Sequence, residues 1–65
     1  MNENYLRKQA IRMRDYRDNN QLYLDAAYRL LSNADAIPTS YAHEGLITPA
    51  DIQKAEVIAA GVLSG

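Results

Sequence analysis

Sixty-five residues with no cysteine, no tryptophan, no phenylalanine, one histidine and a formal net charge of −1 describe one small domain. No disulfide can form, and one histidine cannot make a zinc site within one chain, so the two usual supports of a very small domain are missing. For a chain of this size apolar burial and ordering entropy nearly cancel, each at roughly 90–100 kcal/mol, so the fold needs either a very good core or a partner chain.

The first predicted element is an amphipathic helix over about residues 3–17. Tyr5, Leu6, Ala10, Met13 and Tyr16 share one face, and Arg7, Arg14, Asp15 and Asp18 lie opposite. Ile11 falls among the charges. Arg7, Ile11 and Arg14 lie within ~60° of each other and are expected to form an exposed mixed stripe suited to an acidic partner. A second helix is expected over about 19–34, with Tyr23, Leu24, Ala27, Leu30, Leu31 and Ala34 inward and Asp25, Arg29 and Ser32 outward. Tyr28 sits at the margin of that apolar face beside Leu24 and is a candidate contact residue, because tyrosine suits a half-wet interface.

Two signals compete between these segments. Asp18-Asn19-Asn20-Gln21 sets poor helix formers in a row, and Asp18 and Gln21 have the spacing of a capping box, which favours a break. The apolar faces on either side differ by only ~40°, in the sense of a 3.5-residue repeat, which favours one long helix with Asn20 in its seam. Both readings make residues 3–34 helical. Ala36-Ile37-Pro38 ends the segment in a loop over 35–48, within which 39–45 reads as one helical turn closed by Gly45. Thr48-Pro49 then opens the last helix, with threonine as N-cap, proline at the first helical position and Asp51 in the first turn. It should run to about Leu63 with Ile52, Ala55, Ile58, Ala59, Val62 and Leu63 on its main apolar face. The expected fold is all-α: a single three-helix domain over 1–65, or one long helix folded back on a short C-terminal one.

Little here resembles catalytic chemistry. The only histidine, His43, stands three residues from Ser40 and beside Glu44, with no third group to orient it. The carboxylates are scattered, and Gly45, Gly61 and Gly65 form no phosphate loop. No catalytic, cofactor or metal site is expected, and the chain reads as a non-enzyme.

Charge is distributed unevenly, with an excess of three positive charges over residues 1–17 and of three negative charges over 30–65. The basic first helix makes a small nucleic-acid-binding regulator one alternative, with Arg7, Lys8 and Arg14 on phosphates. The acidic isoelectric point near 5.6 opposes it, as does a last helix that begins with Asp51 and offers only Lys54 as a cation.

Val57 lies almost opposite the main apolar face of the last helix, flanked by Ala60 and Gly61, and from Val57 to Leu63 there is no charged or polar side chain. That end has no evident solvent face. A second helix approaching over Ala60 and Gly61 would cover it, and pairing of two identical chains is the commonest arrangement of this kind. The preferred expectation is therefore a non-catalytic protein-protein interaction module: a regulatory, adaptor or inhibitor protein of the kind phage and mobile-element genomes encode, forming a homodimer. Its partner-binding residues would be Arg7, Ile11, Arg14, Tyr28, Val57, Ala60 and Gly61. A structural assembly subunit is the remaining alternative. The run Val57 to Leu63 is far short of the ~20 residues that cross a bilayer, and Met1 to Asn4 lead into a basic rather than an apolar stretch, so no membrane association and a cytoplasmic location are expected.

Overall fold

The computed structural model describes residues 3–37 and 47–64. They form three helices, α1 (Glu3–Asp15), α2 (Asn20–Asn33) and α3 (Pro49–Ser64), each packed against both others, with no strand among the described residues. The expected turn over 39–45, with Ser40 and His43, lies outside the described residues.

Of the two readings of residues 3–34, the structure takes the broken one. Helix α1 carries Glu3 in its first turn and Arg12 and Arg14 in its last, each placed favourably for the helix dipole, and it stops at Asp15, two residues before the expected end. The chain then turns over residues 16–19. The cap of α2 is Asn19, not Asp18: its backbone is extended, and its side-chain oxygen accepts a hydrogen bond from the Leu22 amide at 3.2 Å. Continuity of phase lost because folding α2 back on α1 buries both apolar faces against each other, whereas one long helix would leave them uncovered.

At its other end α2 stops well before Pro38, at Asn33, on a motif that the proline hid. The Ala36 amide reaches back to the Leu31 carbonyl (2.9 Å) and the Asp35 amide to that of Ser32 (3.3 Å), the two bonds of a Schellman cap. Asp35 occupies the left-handed position, φ 56°, where glycine is the usual residue. Asp35→Gly is therefore expected to stabilise the domain by about 1 kcal/mol, read as a higher urea midpoint with an unchanged slope.

The start of α3 is as expected. Thr48 Oγ1 accepts from the Asp51 amide at 3.2 Å, and Asp51 Oδ2 accepts from the Thr48 amide at 3.2 Å and from the Thr48 hydroxyl at 3.0 Å, a reciprocal capping box. Lys54 on the same helix donates to the Ala36 carbonyl at 3.3 Å and ties α3 to the end of α2.

Among the described residues nine apolar ones form the core: Leu6, Ala10 and Met13 from α1, Ala26, Ala27, Leu30 and Leu31 from α2, Ala55 and Ala59 from α3. Five of them are alanines, so the helix backbones approach closely and the core holds few large side chains. The expected faces need correcting at several points. Tyr16 is exposed, because α1 ends before it; Ala26 is fully buried, because α2 meets α1 and α3 over a wider arc than one stripe. Gln9, a polar residue, is 2% exposed on the core side of α1 between Leu6 and Met13, with Oε1 accepting from Arg12 at 3.1 Å.

Candidate functional site

Helix α1 lies between two differently built seams. Along the α1–α2 seam, Asp25 Oδ2 accepts from Arg29 at 3.0 Å and from Arg12 at 3.5 Å, and Arg12 in turn holds Gln9. A hydrogen bond with Tyr5, and then Asp25, favour the charged form of Arg29 and push its pKa above the usual guanidinium value. The Arg12 guanidinium also sits over the Tyr16 ring, 5.8 Å from its centroid. These side chains satisfy one another and hold α1 to α2.

The seam at the other flank of α1 is open. A groove of about 260 Å³ runs there, with Ala10 and Met13 of α1 and Ala59 of α3 in its floor. Ala60 and Leu63 of α3 continue the apolar wall, and Arg14, Arg17, Tyr23 and Glu56 edge it. The sequence places these residues together only through the fold: Arg14 and Arg17 stand at the end of α1 and in the turn after it, Tyr23 in the first turns of α2, and the rest one helical turn apart on α3.

Across the groove the Tyr23 hydroxyl donates to Glu56 Oε2 at 2.5 Å, with Arg17 3.9 Å from the same oxygen. Burial, the hydrogen bond to Glu56 and the negative charge of Glu56 push the Tyr23 phenol up to about 12, against the opposing charge of Arg17. The neutral phenol is thus favoured in the folded chain. Its contribution to stability is complete below pH 10, the unfolded value, and is lost as the pH rises towards about 12. Wild type is accordingly expected to lose more stability between pH 9 and about 11.5 than Tyr23→Phe, whose urea midpoint should fall less over that interval.

The seven residues expected to bind a partner are dispersed by the fold. Arg14 and Ala60 both line the groove. Val57 and Gly61 flank Ala60 on the outward side of α3; Val57 is 73% exposed, and a Cβ added to Gly61 would meet open space. Arg7 is exposed on α1, one turn before Ile11 and two before Arg14. Ile11 itself is half-buried, which corrects the expected exposed stripe: its neighbours one turn away are Arg7, Lys8, Arg14 and Asp15, and on a helix their stems screen an isoleucine between them. Tyr28 is half-buried and does not line the groove. The sequence does not reveal Ala10, Met13, Arg17, Tyr23, Glu56, Ala59 and Leu63 as groove residues, since no local pattern relates them.

Among the described residues no three His, Cys, Asp or Glu side chains gather as a metal-ligand set, and no helix is long and apolar enough to cross a membrane. The chain matches no protein-family model, no curated protein and no solved structure.

Proposed function

We propose that this chain is a small, non-catalytic protein-interaction module that acts by docking on a larger protein, as a regulator, adaptor or inhibitor would. The observation that carries the reading is a continuous uncharged surface on α3. Val57, Ala60 and Gly61 are exposed on its outward side, and at Ala60 that side runs into the groove beside Met13. An exposed valine alone is ordinary; one that joins a concave apolar seam with a polar rim has the anatomy of an interface. The test is site-specific photo-crosslinking in cells that express the chain, with the reactive group at position 57 or, as control, at position 33 on α2. A discrete protein adduct from 57 and none from 33 is expected. Equal adducts from both positions, or an adduct removed by nuclease, would reject the reading, the latter in favour of nucleic-acid binding.

Gly61 favours a second reading, in which the outward side of α3 pairs with that of another copy. Glycine within a helix costs about 1 kcal/mol relative to alanine, and nothing within reach of Gly61 in this chain uses the space it leaves. A second α3 approaching closely would use it. Sedimentation at tens of micromolar should then give a dimer for wild type and a monomer for Val57→Glu; a monomeric wild type removes this reading and leaves the first intact.

A further inference from the structure

We propose that the groove between α1 and α3 receives one large apolar side chain from an acidic segment of a protein partner, with Arg14 and Arg17 binding the carboxylates that flank it; this rests on the interaction-module reading. The volume of about 260 Å³ is the first reason, since it lies below the roughly 300–1,000 Å³ of small-molecule sites and suits a single anchoring side chain. The floor is the second. Ala10 and Ala59 are buried alanines and Met13 a flexible thioether, so the bottom of the groove is apolar, shallow and able to adjust to an inserted side chain.

The charge at the rim selects the partner. Glu56, the one carboxylate lining the groove among the described residues, is already engaged by the Tyr23 hydroxyl and faced by Arg17. Arg14 and Arg17 keep 63% and 73% of their side chains exposed, and their pairs within the chain, with Asp15 at 3.3 Å and Glu56 at 3.9 Å, are surface contacts. Such pairs contribute little and are easily exchanged for a partner's carboxylate. A partner with basic residues flanking the anchor would meet the two guanidinium groups at the rim of the groove. A nucleic acid would leave the apolar floor of Ala10, Met13 and Ala59 uncovered.

The proposal is tested by following backbone amide shifts in the nitrogen-15-labelled protein. The probes are three short synthetic peptides with the same single central leucine, flanked by glutamate, by glutamine or by lysine, and a duplex DNA of mixed sequence. The glutamate peptide is expected to shift the amides of Met13, Arg14, Ala59, Ala60 and Leu63, to weaken as salt is raised, and to bind more tightly than the glutamine peptide; the lysine peptide should not bind. Arg14→Glu and Arg17→Glu, both at exposed positions, should weaken the glutamate peptide about five- to tenfold each with the helical circular dichroism unchanged. Ala60→Trp, which fills the groove from an exposed position, should abolish binding. The proposal is overturned if no peptide binds at millimolar concentration, if the three bind alike, if the shifts fall outside the groove, or if DNA binds the arginines more tightly than the glutamate peptide. A discrete adduct from position 57 alongside any of these failures would leave the interaction-module reading standing and reject only this account of the groove.

Discussion

Leu30→Ala is expected to leave most of the chain unfolded at 25 °C. Leu30 is fully buried, and among the described residues it is one of four large side chains in the core, with Leu6, Met13 and Leu31; the other five described core residues are alanines. Truncating a buried leucine costs about 2–5 kcal/mol, through lost transfer energy and the cavity left behind. A single core in a domain of this size supplies no more than about 3–5 kcal/mol. Loss of tertiary packing should also take the secondary structure with it, because helices of 13, 14 and 16 residues are marginal on their own. The ellipticity at 222 nm should fall to a small fraction of the wild-type value. Leu30→Met, which nearly conserves volume, should keep the helical signal and lose less than about 1.5 kcal/mol. A Leu30→Ala chain with a wild-type spectrum and urea midpoint would mean that the packing of α2 does not hold the domain together.

The capping chemistry of α3 could be read from the sequence because it is local: Thr48, Pro49 and Asp51 meet within four residues and depend on no other part of the chain. The same holds for the outward position of Val57, which follows from helical phase once the inward side is known. The break at 16–19 was not decidable locally, since capping and phase gave opposite answers and the contacts of α1 with α2 and α3 settle them. Gln9 was hidden for a related reason. Its register between Leu6 and Met13 is a core register, but its amide only becomes tolerable inside once Arg12 is placed to hydrogen-bond it. Asp35 was hidden because the sequence carries an aspartate where a helix C-terminus usually shows glycine. The groove was the least legible feature. Tyr23 and Glu56 are 33 residues apart, and their bond exists only in the packed helices.

Ala55→Leu is expected to destabilise the domain by roughly 1–3 kcal/mol although it adds only apolar surface. Helix α3 buries just two residues, Ala55 and Ala59, and everything else it offers inward, such as Ile52, Ile58 and Val62, is half-exposed. Ala55 is 0% exposed, so a larger side chain there has no room to turn into solvent. It must displace α3 or force its neighbours off their rotamers. Displacement has a local consequence that can be measured. Glu56 follows Ala55 in the chain, and moving α3 outward draws its carboxylate away from the Tyr23 hydroxyl that it accepts from. The variant should therefore melt several degrees lower and lose less stability than wild type between pH 9 and about 11.5, approaching the behaviour of Tyr23→Phe. Val57→Leu, a smaller apolar enlargement of one methylene, lies two residues away at a 73% exposed position and should stay within about 0.5 kcal/mol of wild type. If both variants lose the same stability, the effect comes from the helix itself and not from its packing, and the close approach of α3 to the other two helices over its alanines is not what limits the core.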